Sequence, residues 1–132
     1  MTTAEKLEKI ADAMLAPLPE GVTVQMCGMS YLRPNDHDEY VGSKVPRNFA
    51  DNLAVCACGR AILGLAGTKE KAEEIILEWL ARPKGTYWED HASKYLGVST
   101  GIIREIGETF KFMDSYEEMV EELRNNPEQF YN

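Results

Sequence analysis

The sequence contains few cysteines and histidines and no long apolar runs. Its 132 residues include three cysteines and two histidines. So few cysteines, in an odd number, exclude the disulfide framework of a small secreted protein. No window approaches the roughly 18 apolar residues of a membrane-spanning helix, and the N-terminus has no apolar core of signal-peptide length. We therefore expect a protein of a reducing cytoplasm that does not bind membranes.

Positive charge is also scarce. Fourteen lysine and arginine residues stand against 22 aspartate and glutamate residues, so the formal net charge is −8. A chain of this sign repels nucleic acid phosphates, which makes DNA or RNA an unfavourable partner. A basic protein surface is a more suitable partner. The length and the hydrophobic content of 44% are those of one ordinary globular domain, and we expect residues 1–132 to form a single domain.

Motifs of common catalytic sites are absent. The chain has no glycine-rich phosphate loop, no GxSxG and no HExxH. A zinc site would have to combine Cys27, Cys56 or Cys58 with His37 or His91, but these residues include no CxxC pair and no close His/Cys spacing. A Cys–His nucleophile pair has only its residue types in its favour. We expect no catalytic residue, metal or cofactor; a small metal- or cysteine-dependent enzyme is the third candidate function.

Apolar residues recur at helical spacing along most of the chain. The predicted helical segments are 2–16, 49–66, 69–81, one from the Thr86–Glu89 capping box to Leu96, one capped by Ser99 and one opened by the Ser115–Glu118 box. Residues 22–33 begin with alternating apolar and polar residues and predict a short extended or hairpin segment. We expect a mainly α fold of about five helices, in which the others pack around helix 49–66.

The segment 49–66 is the most apolar part of the chain. After Leu53, its only charged residue is Arg60. A helix that is apolar on nearly all sides is typical of a buried central position. Cys56 and Cys58 would point about 200° apart on such a helix, so they could neither bind one ion together nor pair with each other. We interpret both as small core residues. We expect Arg60 to pair with a carboxylate or to reach solvent.

Residues 92–106 have the spacing of a helix-turn-helix motif. A glycine marks the turn, and Ile102, Ile103 and Ile106 are apolar positions of the second helix. That helix would offer DNA only one arginine, Arg104, together with two carboxylates. The same spacing arises whenever two short helices pack around a core. A helix-turn-helix DNA-binding regulator is therefore the alternative function.

Two acidic clusters are candidate partner-binding surfaces. The first belongs to a predicted exposed loop at 34–47 and contains Asp36, Asp38 and Glu39. The second belongs to the outer face of the last predicted helix and contains Glu117, Glu118, Glu121 and Glu122. Such clusters suit a basic partner surface, and they suit a purely solubilising role equally well.

The segment Cys56-Ala57-Cys58-Gly59-Arg60-Ala61-Ile62 resembles the C-A-x-G-x-[AL] core-helix signature of small uncharacterised helical domains found in bacteria and their phages. Two later pieces agree, Ala92-Ser93-Lys94-Tyr95-Leu96-Gly97 and Glu117-Glu118-Met119-Val120-Glu121-Glu122-Leu123, so the resemblance covers about residues 50–123. The aromatic-rich segment often seen between those two pieces is missing. The resemblance implies a helical architecture and a bacterial or phage origin, without any chemistry.

The composition and the resemblance together lead to one functional expectation. We expect a small acidic interaction protein, encoded by a phage or prophage, which binds a host protein without catalysis in the cytoplasm of a bacterial host cell. The sequence leaves its oligomeric state open.

Overall fold

The computed structural model describes residues 1–34 and 50–131. Within these ranges the chain forms six α-helices, three short strands and one 3-10 helix. The helices are α1 (Thr3–Leu15), α2 (Ala57–Ala66), α3 (Lys69–Leu80), α4 (Trp88–Leu96), α5 (Thr100–Phe110) and α6 (Tyr116–Asn125). The strands are β1 (Val24–Met26), β2 (Leu32–Arg33) and β3 (Leu53–Val55), and the 3-10 helix spans Pro127–Phe130. The prediction of a mainly α fold of about five helices is confirmed, and each of the six predicted helical segments contains one of these α-helices.

The three strands form one small sheet in the order β1-β3-β2. β1 runs parallel to β3, with Val24 opposite Leu53. β2 runs antiparallel to β3, with Leu32 opposite Val55. The predicted extended segment at 22–33 therefore exists, but its strands pair with a later part of the chain rather than with each other.

The prediction of one continuous helix over 49–66 is wrong for its first part. The residues of β3 are extended, and the helix begins only at Ala57, after Cys56 with its extended backbone (φ −80°, ψ −177°). Both ends of β3 are fully buried. A short apolar run fits a buried strand as well as a buried helix, and here the pairing partners on both sides decide the outcome. The N-cap that the sequence suggested for this helix, Asn48, lies outside the described residues.

Most of the predicted helix caps are confirmed. Thr2, Thr68 and Ser99 each accept a backbone N–H at the start of a helix. The carboxylate of Glu5 accepts the N–H of Thr2 at 3.2 Å in return, which completes a capping box. Gly97 ends α4 in the left-handed conformation with φ 70°, which glycine adopts without strain.

The predicted Thr86–Glu89 capping box is wrong. Helix α4 begins at Trp88, and its N-cap, Tyr87, makes no side-chain hydrogen bond. Thr86 belongs to the preceding turn, where its N–H donates to the carbonyl oxygen of Pro83 at 3.1 Å. Thr86 therefore lies in the turn, one residue before the N-cap position of α4, and does not cap this helix.

Helix α2 lies at the centre of the core and packs against α1, α3, α4 and α5. Two glycines let its neighbours come close: a Cβ on Gly59 would meet the carbonyl oxygen of Tyr31, and one on Gly64 would meet that of Ala13. The central position predicted for the apolar segment is therefore confirmed for the part that is helical.

Both cysteines of the apolar segment are buried, as predicted. Cys56 is 5% exposed and Cys58 is 0% exposed. Burial raises the pKa of Cys56 to about 11 and raises the pKa of Cys58 as well. Both thiols are therefore protonated at neutral pH.

Arg60 is half-buried, and its partner is a backbone carbonyl rather than the carboxylate that was one of its two expected outcomes, the other being an exit to solvent. Its Nη2 donates to the carbonyl oxygen of Ala16, the residue that ends α1. The last carbonyl groups of a helix have no partner within the helix and carry partial negative charge. They therefore suit a half-buried guanidinium group as well as a carboxylate does.

Candidate binding cleft

A half-open cleft of about 370 Å³ lies between the segment 28–33 and helices α3, α4 and α5. Trp79 and Leu80 from the end of α3 line one side, and Trp88 from the start of α4 lines another. Residues of the outer face of α5 complete the wall. This volume is in the range of known ligand-binding sites, and aromatic walls are typical of them.

An aromatic cluster surrounds Tyr31 at the cleft. The ring of Tyr31 lies edge-on to Trp79, with centroids 5.2 Å apart, and 5.5 Å from the ring of Trp88. The guanidinium group of Arg82 lies 3.6 Å from the centroid of the Trp79 ring. Closely packed aromatic rings with few rotatable bonds lose little entropy when a partner binds. They therefore provide a rigid apolar surface.

A chain of polar contacts connects the Tyr31 hydroxyl of this cluster with His91 and Glu78. The hydroxyl of Tyr31 lies 2.7 Å from Nδ1 of His91. Nε2 of His91 lies 3.0 Å from Oε1 of Glu78, in a close polar contact that lacks hydrogen-bond geometry. Glu78 accepts hydrogen bonds from Nζ of Lys94 at 3.1 Å and from the hydroxyl of Tyr95 at 2.9 Å. These residues form a relay from the cleft to the surface.

Burial keeps the inner half of the relay neutral. Burial raises the pKa of Tyr31 far above its ordinary value, so its hydroxyl keeps its proton beside Nδ1 of His91. Burial lowers the pKa of His91 and outweighs the attraction of Glu78. Burial opposes the ionisation of Glu78, but hydrogen bonds from Lys94 and Tyr95 outweigh it and lower the pKa of Glu78. The relay therefore orients the Tyr31 ring with a neutral hydrogen bond.

The charged side chains around the cleft are mostly basic. The cleft is lined by the basic residues Arg33, Arg82, Arg104 and Lys111 and by the acidic residues Glu89 and Glu108. Nζ of Lys111 lies 2.9 Å from Glu108, while Nε of Arg104 lies 3.9 Å from Glu89. Among the described residues that line the cleft, four basic residues against two acidic ones give an excess of two positive charges, although the whole chain carries −8.

Two large apolar side chains project at one end of the cleft. Met29 lines the cleft and is 80% exposed. Phe112 directly follows the cleft residue Lys111 and is 88% exposed. The two segments touch, because a Cβ on Gly28 would lie 3.3 Å from Cα of Lys111. Grouped, exposed apolar side chains are typical of a surface that binds another macromolecule.

Among the residues that the structure describes, the acidic residues predicted as partner-binding sites do not line this cleft. Asp36, Asp38 and Glu39 lie outside the described residues. Glu117 and Glu121 are exposed on α6, the helix on which the sequence places them. They form no part of the cleft wall.

The other two glutamates of α6 have local structural roles. Glu118 donates its N–H to Oγ of Ser115 at 3.1 Å, and its carboxylate accepts the N–H of Asp114 at 3.2 Å. The predicted Ser115–Glu118 box is thus only half formed. Glu122 accepts hydrogen bonds from the side chains of Asn126 and Gln129, which hold the 3-10 helix against the end of α6.

Sequence reasoning missed the cleft because its walls come from separate segments. The spacing of Trp79 and Leu80 continues the apolar stripe of α3 and predicts a place in the core, but both are only partly buried. Tryptophan is seldom fully buried. Partial exposure of a tryptophan at the end of an apolar stripe is therefore the feature of the cleft that the sequence of α3 could have indicated.

The fold does not bring together, among the described residues, the ligands that the alternative zinc site would need. Within residues 1–34 and 50–131, no group of three or more His, Cys, Asp and Glu side chains could hold a metal ion. His37 lies outside those ranges.

Among the helices of the same ranges, none combines the length and the apolar character that crossing a membrane requires.

Helices α4 and α5 follow each other around the turn at 97–99, where the sequence predicts a helix-turn-helix. Ile102, Ile103 and Ile106 face the core, as predicted. Arg104, on the opposite face of α5, contributes to one wall of the cleft. The face that would read DNA therefore borders a concave surface, whereas a recognition helix has to protrude into the major groove.

Comparison of the chain with protein-family models, with curated proteins and with solved structures gave no match. The resemblance of residues 56–62 to helical domains of bacteria and phages therefore stays a prediction. The function has to be argued from the cleft itself.

Proposed function

We propose that this chain is a small interaction protein that binds a protein partner through the cleft, without catalysis. The observation that carries the proposal is the exposure of Met29, which lines the aromatic cleft, and of Phe112, which directly follows the cleft residue Lys111, at 80% and 88%. A small molecule in about 370 Å³ would contact Met29 but would leave Phe112, which does not line the cleft, in water. A protein partner would cover both side chains, and large apolar anchors beside a pocket are where most binding energy of an interface resides.

The charge of the cleft describes the partner further. An excess of two positive charges around aromatic walls suits a segment with an apolar anchor next to acidic residues. A partner with a basic surface, as the composition suggested, would instead bind Glu117 and Glu121 on α6. We favour the cleft because it combines shape, apolar surface and charge.

Two further features support a binding role over the other candidates. The neutral Tyr31–His91 pair positions an aromatic wall and contains no activated nucleophile. The concave setting of Arg104 and the net charge of −8 disfavour a DNA-binding regulator. A bacterial or phage-encoded protein that acts on a host protein in the cytoplasm has its support in the sequence resemblance and in the scarcity of cysteine.

Site-specific photo-crosslinking tests the proposal. A photo-reactive amino acid replaces Phe112 in one variant and Leu65 in a matched control. Leu65 is also exposed, at 55%, but it neither lines the cleft nor adjoins a residue that does, whereas Phe112 directly follows the cleft residue Lys111. In a bacterial lysate we expect position 112 to crosslink one protein and position 65 to crosslink none. Adding Met29→Glu should abolish the crosslink.

The opposite results would contradict the proposal. Crosslinks of equal yield from both positions would mean that the cleft is not the binding surface. Persistence of the crosslink in the Met29→Glu variant would mean the same. A thermal shift by a small anionic aromatic compound, without any protein crosslink, would assign the cleft to a small ligand.

A further inference from the structure

Cys27 and Cys56 continue the pairing of β1 with β3 beyond its last pair. Met26 stands opposite Val55. The N–H of Cys27 donates to the carbonyl oxygen of Val55 at 3.0 Å, and Cys56 keeps an extended backbone. Cys27 and Cys56 are therefore the next two residues in register. Residues paired in this way lie about 4.8 Å apart and point to the same face, within the Cα spacing of roughly 4.4–6.8 Å that a disulfide requires.

The two thiols have different surroundings. Both are free, Cys27 is half-buried and Cys56 is buried. A hydrogen bond with the side chain of Ser30 is the main cause that lowers the pKa of Cys27, whereas burial raises the pKa of Cys56 to about 11. A half-exposed, more acidic thiol beside a second thiol is the arrangement found in peroxide-sensing cysteine pairs.

We propose that Cys27 and Cys56 form a redox-active pair that a hydroperoxide converts into an intramolecular disulfide. The Cys27 thiolate attacks one peroxide oxygen, the O–O bond breaks, and the leaving oxygen takes a proton and departs as water or an alcohol. Cys27 is then a sulfenic acid. The Cys56 sulfur attacks the Cys27 sulfur, the S–O bond breaks, and the hydroxyl group leaves with the Cys56 proton as water. Two thiols are oxidised and one peroxide is reduced.

The disulfide would change one wall of the cleft. Cys56 lines the cleft, and so do Gly28, Met29 and Ser30, which directly follow Cys27. A bond between the two sulfurs would tie the segment 27–30 to the start of α2 and fix the position of Met29. The reaction needs no partner protein, so this inference is independent of the proposed function.

Peroxide treatment of the reduced full-length protein tests the inference. After treatment with hydrogen peroxide, the protein is denatured, alkylated and digested, and the linked peptides are identified by mass spectrometry. We expect a peptide in which Cys27 and Cys56 are joined with the loss of two hydrogen atoms, while Cys58 is alkylated. The matched control Cys58→Ala should form the same link, because Cys58 is fully buried and lies away from the strand register.

Two further variants separate the steps of the reaction. Cys27→Ser should form no intramolecular disulfide. Cys56→Ser should stop at the first step, so that a dimedone adduct accumulates on Cys27. A link from Cys27 to Cys58 would overturn the proposal. Disulfides formed only between chains, or three free thiols in a folded, peroxide-treated protein, would overturn it as well.

Discussion

His91 makes the stability of this protein depend on pH through one buried ring. Burial lowers its pKa below the ordinary value of about 6.5, so the unfolded chain binds this proton at a higher pH than the folded chain does. Stability falls on acidification wherever the unfolded state holds more protons. We expect the contribution of His91 to the free energy of unfolding to be largest above about pH 6.5. It should fall as the pH decreases toward the pKa of His91 in the folded state. Urea denaturation across this range measures the effect.

The variant His91→Gln isolates the contribution of the ring. Glutamine does not titrate, and its side-chain amide can either donate a hydrogen bond to the Tyr31 hydroxyl or accept one from it. The difference in free energy of unfolding between the protein and the variant should therefore shrink as the pH falls from about 7 to 5. Parallel curves over that range would show that another group causes the pH dependence.

Gly64 is the residue that sets the distance between α1 and α2. In a helix, alanine is favoured over glycine by about 1 kcal/mol, but here the added Cβ would meet the backbone carbonyl of Ala13. Overpacking against an immobile group costs about 1–3 kcal/mol, so the clash outweighs the propensity. We expect Gly64→Ala to lower the free energy of unfolding by about 1 kcal/mol in urea denaturation.

Leu65→Ala is a suitable control for this prediction. Leu65 is the next residue of the same helix and is 55% exposed. We expect its truncation to cost less than about 1 kcal/mol. A Gly64→Ala variant that is more stable than the parent would show that the two helices can separate without cost.

At the scale of elements, the four glutamates of helix α6 form two pairs with different surroundings. Glu117 and Glu121 are exposed like charges at i, i+4 and oppose the helix slightly. Glu118 and Glu122 accept hydrogen bonds that fix the chain before and after the helix. Each such bond contributes about 0.5–1.5 kcal/mol.

Two matched double variants test this division. We expect Glu117→Gln with Glu121→Gln to leave the melting temperature unchanged or to raise it. Glu118→Ala with Glu122→Ala should lower the melting temperature by several degrees, since about 1 kcal/mol corresponds to about 2–8 °C in a domain of this size. Circular dichroism melting curves measure both. Equal melting temperatures of the two double variants would contradict the division.

At the scale of the whole molecule, charge decides which ligands can approach. The net charge is −8, and the basic residues around the cleft lie on a concave surface. We expect no binding of duplex DNA tighter than about 10⁻⁵ M at physiological salt. Fluorescence anisotropy with a labelled random duplex measures this. Sub-micromolar binding that weakens steeply with salt, and that Arg104→Glu abolishes, would restore the helix-turn-helix hypothesis.

Local patterns predict most helices of this protein correctly, because a helix carries its own signals within one segment. Ser99 caps α5 and Ile102, Ile103 and Ile106 form its buried stripe, as the spacing indicates. Apolar spacing predicts the wrong element at Leu53–Val55, because an apolar run does not show whether other strands will pair with it on both sides.

The sequence alone determined the mainly helical fold, the acidic charge and the burial of Cys56 and Cys58, because composition and apolar spacing are properties of single segments. The tertiary structure decided that Leu53–Val55 is a central strand and that Tyr31, Glu78 and His91 form one relay. It also decided that Cys27 follows the register to Cys56. Each of these features depends on contacts between residues far apart in the chain. Those contacts stabilise the protein only when the packed core brings the segments together.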